Sequence, residues 1–161
     1  MTEDLHHGQA CAIMDEPGDN QREQQAAFRD ALADLAFGCA YATPDGGCDQ
    51  IDALAALVQA HPHWSAIFDT SVVTRLVQTG ADASAALALV EQVGGYMLSR
   101  APGGRHLATV VLAGQSQEVH AEGASAALAL IGALATALAA PASAASPHEG
   151  SHKSGPELRL N

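Results

Sequence analysis

From Ala124 to Ala140 this chain carries no charged side chain, although its formal charge is −11. A helix built from such residues has no face fit for water, so it must be buried in protein or in lipid. The run is at the floor of the ~17–25 residues that span a bilayer. About half of it is alanine, and neither an aromatic belt nor a basic flank follows it. Burial inside a protein core is therefore the expectation, and the rest of the fold must supply the cover.

The residues just before this run suggest what that cover is. His106 to Ala113 alternates and branches like a strand, Gly114-Gln115-Ser116 reads as a turn, and Gln117 to Glu122 reads as a second strand. Gly123 then opens the uncharged helix. The expected fold is α+β: four to five helices with one antiparallel hairpin near the C-terminus, covered by the last helix. A lone hairpin is marginal in water. It is expected either to lean fully on the helices or to pair with a second copy through edge strands, giving a homodimer.

The closing stretch Ala127-Leu128-Ala129-Leu130-Ile131-Gly132-Ala133-Leu134, preceded by a polar strand and a glycine, resembles the ending of small phage and prophage proteins of the α/β sandwich type. The resemblance spans about 106–140. It implies a phage or mobile-element source, and it brings no motif residues that could be carried over.

Upstream, residues 1–19 lack periodicity and are expected to form a mobile acidic arm. Residues 20–140 are expected to form one domain, and the Pro, Ser and His-rich 141–161 a disordered tail. Helix 1 is expected from Asn20 to Tyr41. Phe28, Leu32, Leu35 and Cys39 fall on one stripe, with Glu23, Asp30 and Asp34 opposite. Thr43 to Gly47 breaks the chain, and helix 2 follows from Asp49 to Ala60 on Ile51, Leu54, Leu57 and Val58. Trp64 to Gln78 fits one bent helix or two short ones, apolar on Trp64, Ile67, Phe68, Val72 and Leu76. A fourth helix is expected from Asp82 or Ser84 to Arg100, with Gly94-Gly95 as an interior weakness costing ~1 kcal/mol per glycine. The few aromatics, Trp64, Phe28, Phe37, Phe68, Tyr41 and Tyr96, are expected to be the large anchors of a thin core. Ala83 to Leu89 recurs identically at Ala124 to Leu130, which in a chain this rich in alanine and leucine reads as coincidence rather than duplication.

Charge is unevenly distributed. Residues 1–52 hold eleven acids against Arg22 and Arg29. Such a balance argues against direct contact with nucleic acid or an anionic membrane, both of which need Lys and Arg. The acidic start lacks the basic opening of a signal peptide. Three cysteines, Cys11, Cys39 and Cys48, follow no disulfide framework, so a reducing, cytoplasmic setting is expected. No cofactor is expected. Zinc is excluded by spacing, since neither Cys39 with Cys48 nor His61-Pro62-His63 matches the short ligand intervals of structural sites. His120 between Glu118 and Glu122 shares a strand face with both, but the same alternation describes a solvent-facing strand. No catalytic residue is assigned, and the chain is expected not to be an enzyme.

The function expected is that of an acidic binding protein. Glu23, Asp30, Asp34, Asp45, Asp49 and Asp52 would present carboxylates to the basic groove of a host protein that handles nucleic acid, as anti-CRISPR-like DNA mimics do. The alternative is a structural or assembly protein that oligomerises through the hairpin and last helix.

Overall fold

The computed structural model describes residues 18–140; the expected tail, and all but the last two residues of the expected arm, lie outside them. The architecture is α+β, with six α-helices and a three-stranded antiparallel sheet among the described residues. Helix α1 is Asp19–Tyr41, followed by a 3₁₀ turn, Pro44–Gly46, and α2, Gly47–Ala60. Short helices α3, Pro62–Ser65, and α4, Ser71–Gln78, lead to α5, Asp82–Val90. The sheet strands β1, Gly94–Arg100, β2, His106–Leu112, and β3, Val119–Gly123, form a meander in the order β1-β2-β3. Helix α6, Ala126–Ala139, is the last described element and packs on β2, β3, α1 and α5.

Proline sets several boundaries. It disfavours the helical basin for the residue before it, and both Thr43, ahead of Pro44, and His61, ahead of Pro62, are extended. On α1 the expected stripe is the packed one: Leu32, Leu35 and Cys39 are buried and Phe28 is half-buried. On α2 Ile51, Leu54 and Val58 are buried. The segment after Pro62 is two helices. The break at Ala66–Thr70 resets the helical phase, so Val73 is buried while Ile67 and Val72 are exposed, in place of the face expected from continuous periodicity. Asp69 restarts the chain there, its carboxylate accepting the Ser71 N–H at 2.9 Å.

The expected fourth helix is corrected. It stops at Val90, and Gly94–Arg100 is a strand that makes the hairpin into a three-stranded sheet. Gly94 lies where a Cβ would run into the Val111 carbonyl, so only glycine lets β1 begin this close to β2. The register pairs Tyr96 with Val110 and Met97 with Thr109 in one ladder, and Ala108 with Ala121 in the next. Strand alternation then sorts the faces. Ala108, Val110, Leu112 and Gly123 are buried beneath α6, and Thr109, His120 and Glu122 lie on the opposite face.

Helix α6 is the core. Leu128, Leu130, Ile131 and Leu134 are all 0% exposed. It begins at Ala126, two residues later than the expected Ala124, because Ser125 caps it by accepting the Leu128 N–H. Among the described residues no helix is long and apolar enough to cross a membrane. Most of α6 is buried within one copy of the chain, with Thr136 exposed.

The aromatic residues depart furthest from expectation. Phe68 is buried and Phe28 and Trp64 are half-buried, but Phe37, Tyr41 and Tyr96 are 67%, 76% and 42% exposed. Phe37 and Tyr41 lie on the side of α1 opposite buried Leu32 and Cys39, and Tyr96 lies on the edge strand β1.

Candidate interaction surface

Helix α1 presents two opposite lines of side chains. At about 100° per residue, Glu23, Asp30, Asp34, Phe37 and Tyr41 lie within about 40° of one line, opposite Leu32 and Cys39. All five are exposed. The acids occupy the first part of the stripe and the two rings the last, their centroids 4.6 Å apart and tilted by 41°. Asp45, on the 3₁₀ turn, and Asp49 and Asp52, on α2, are exposed as well. They form a second acidic set on the element packed beside α1, where Gln50 approaches Gly38 closely enough that a Cβ there would sit 3.3 Å from its amide oxygen. The structure therefore gathers Glu23, Asp30 and Asp34 on one line and places Asp45 on the 3₁₀ turn and Asp49 and Asp52 on α2.

The aromatic half of the stripe is absent from the sequence-based expectation. Its signal is there: Phe37 is seven residues from Asp30 and Tyr41 seven from Asp34, the spacing that returns to the same side of a helix.

The other candidates do not assemble into chemistry. His120 Nδ1 and the Thr109 hydroxyl are 2.8 Å apart across the outer sheet face, and Glu122 instead meets Arg105 at 3.3 Å. Glu118 lies one residue before β3, and among the described residues neither Glu118 nor Glu122 is hydrogen-bonded to His120. Cys39 is buried, its thiol donating to Gln50 Oε1 at 4.0 Å, and burial pushes that thiol from 9.0 up to about 11, which keeps it protonated and unreactive at neutral pH. The half-buried Cys48 thiol is also raised, by desolvation and then by the Asp49 carboxylate. No group of three or more His, Cys, Asp or Glu is placed to hold a metal ion among the described residues.

A groove of about 900 Å³ opens between α1, α3 and the end of α6, walled by Phe28, Leu57, Trp64 and Leu138 with Arg29 at its side. The His61 ring lies 4.3 Å from Phe28, and its buried Nδ1 has no hydrogen-bond partner among the described residues. Among the described residues His61 and His63 line this groove, and no hydroxyl, thiol or carboxylate side chain does.

Comparison with protein-family models, with curated proteins and with solved structures gives no match.

Proposed function

We propose that this chain is a non-enzymatic binding protein of phage or mobile-element type, acting in the cytoplasm on a basic host protein that handles nucleic acid. The α1 stripe is the docking surface. The observation that carries this reading is the Phe37–Tyr41 pair. Exposed carboxylates alone are explained by solubility, but two large rings facing water at the end of an acidic line are not. Aromatic anchors beside charged groups are the usual composition of a protein-binding hot spot. Glu23, Asp30 and Asp34 would form charge-assisted pairs with Arg and Lys, with Asp45, Asp49 and Asp52 extending the field. Phe37 and Tyr41 would take the apolar stems or the guanidinium planes of the same residues.

The test is capture from a bacterial lysate at low and high salt, using the wild type, the triple variant Glu23→Lys/Asp30→Lys/Asp34→Lys and the double variant Phe37→Ser/Tyr41→Ser. A basic protein retained at low salt, released at high salt and lost with both variants supports the reading. A partner that binds the charge-reversed variant as well as the wild type ends the acidic mechanism.

A further inference from the structure

The sheet has two unlike edges. Beyond β3 lies the C-terminal half of α1, and Arg105 bridges the two by donating to the Ala40 carbonyl while pairing with Glu122. Beyond β1 the described residues place nothing: after half-buried Gly94, every residue of the strand is exposed. Tyr96 and Leu98 point to the helix side of the sheet, yet they are 42% and 38% exposed because α6 packs on β2 and β3 and does not reach them; Met97, on the other side, is 65% exposed. Native edge strands are normally blunted by lysine, proline, a bulge or a cover. β1 has none of these over its length, and its one charge is Arg100 at the end.

The backbone parity of this edge is fixed. Ala113 N–H donates to the Val93 carbonyl and Ala101 N–H to the Arg105 carbonyl, each at 2.8 Å. By antiparallel alternation Gly95, Met97 and Ser99 turn their N–H and C=O groups to β2, so Gly94, Tyr96, Leu98 and Arg100 turn theirs outward, where no strand among the described residues pairs with them.

We propose that β1 pairs antiparallel with β1 of a second copy, about a two-fold axis through Met97, joining two three-stranded sheets into one continuous six-stranded sheet. This register is the one that engages the whole strand. Gly94 faces the partner's Arg100 and Tyr96 faces the partner's Leu98, so every outward backbone group meets an outward backbone group. Met97 faces the partner's Met97 at a non-hydrogen-bonded position, as its inward-turned backbone requires. A slip of one residue would oppose outward groups to inward ones, and a slip of two would shorten the overlap. Side chains agree with this register. Tyr96 packs across the partner's Leu98, an aromatic–aliphatic cross-strand pair, on the side α6 leaves uncovered. Charge agrees as well: antiparallel pairing brings the Arg100 end of one strand beside the Glu91 end of the other, both exposed, and sets no like charges opposite each other. A strand pair of this length buries less than the ~1,600 Å² of a standard interface, so the dimer exchanges and its population follows concentration.

The experiment uses the full chain in a Cys11→Ser/Cys48→Ser background, which leaves only the buried Cys39 thiol. Sedimentation of this protein from micromolar to near-millimolar concentration is expected to show the mass rising from 16.4 kDa toward twice that value. Tyr96→Lys/Leu98→Lys, which sets ammonium against ammonium across the axis, is expected to hold it at the monomer with an unchanged circular dichroism spectrum. Met97→Cys is expected to form an intermolecular disulfide on mild oxidation, because a non-hydrogen-bonded pair has Cα atoms about 4.5 Å apart, within the range a disulfide spans. Ser99→Cys, exposed on the same face but some ~13 Å from its copy by strand rise, is expected to cross-link at least tenfold more slowly. A mass that stays at the monomer over the whole range, or equal cross-linking rates for the two cysteine variants, overturns the proposal. A strand from a different protein occupying this edge would give the first of those results.

Discussion

The seven residues Ala-Ser-Ala-Ala-Leu-Ala-Leu occur twice, at Ala83–Leu89 in α5 and at Ala124–Leu130 leading into α6. Both copies enter helices, and there the likeness ends. In the first copy Ser84 is an exposed residue inside the helix, Leu87 and Ala88 are half-buried, and only Ala85, Ala86 and Leu89 are buried. In the second, Ser125 stands before the helix as its cap, and Ala127 through Leu130 are all buried. The local chemistry of the two strings is identical, so the difference comes from what precedes and surrounds them. The first follows Gly80, at φ +71°, and a turn, and it packs on α4 and α6. The second follows Gly123, the last residue of β3, and runs directly into the layer between the sheet and α1. Propensity made both strings helical; position decided how much of each is core.

The largest expected contrast is at the first leucine of the strings. Leu128→Ala should cost ~2–5 kcal/mol, the range for truncating a fully buried leucine, whereas Leu87→Ala, at a half-buried site, should cost no more than ~1–2 kcal/mol. Urea unfolding of the two variants checks this, and equal costs would mean that α6 is not the more deeply buried copy.

Next is the entry to the second string. A Cβ on Gly123 would sit 2.5 Å from the Ala129 nitrogen and 2.8 Å from the Leu128 carbonyl carbon. Both are helix backbone, which cannot swing aside, so Gly123→Ala should destabilise by ~1–3 kcal/mol as an overpacked site. Thermal unfolding reads it directly, and an unchanged melting temperature would show that α6 can shift away from β3 without loss.

The serines give a smaller contrast of opposite sign. Ser125→Ala removes the hydrogen bond to the Leu128 N–H and should cost ~1 kcal/mol. Ser84→Ala places the better helix former at an exposed interior site and should be neutral or stabilising by up to ~0.5 kcal/mol. If both variants lose the same amount, the second string has no capped start.

A further contrast, silent at neutral pH, is a pH dependence at Cys39, which lies across from the second string: a Cβ on Gly132 would sit 3.3 Å from the Cys39 Cβ. Its folded pKa of about 11 lies above its ordinary 9.0, because burial disfavours the thiolate. The stability this contributes is complete below pH 9 and is lost as pH rises from about 9 to about 11. Chemical denaturation across that window should show a decline in the wild type that is smaller in Cys39→Ala.

Several elements are legible in the residues alone. The stripe Phe28, Leu32, Leu35, Cys39 and its acidic opposite at Glu23, Asp30 and Asp34 follow from helical periodicity, and both are where the period puts them. The strand His106–Leu112 is legible from its branched residues. β1 is not, because Val90, Val93 and Met97 continue a helical spacing straight through Gly94-Gly95, and nothing local says that β2 will pair with the segment beyond those glycines. Phe37 and Tyr41 are legible in phase, but their size argues for the core, and size does not create volume for a ring. The acidic half of the candidate surface is thus in the pattern, and its aromatic half is obscured by a prior about burial.

What the sequence by itself determined is the set of local choices: where helices break at Pro44, Pro62 and Gly80, which side of α1 is apolar, and that an uncharged helix after Gly123 had to be hidden. These depend on dihedral limits and on water's preference among side chains, both of which act over a few residues. What only the tertiary structure decided is which apolar segment won the interior. Two stretches of this chain seek cover, α6 and β1, and the space between the sheet and α1 holds one. Close packing admits no compromise, so α6 took it, and Tyr96, Met97 and Leu98 were left at the edge.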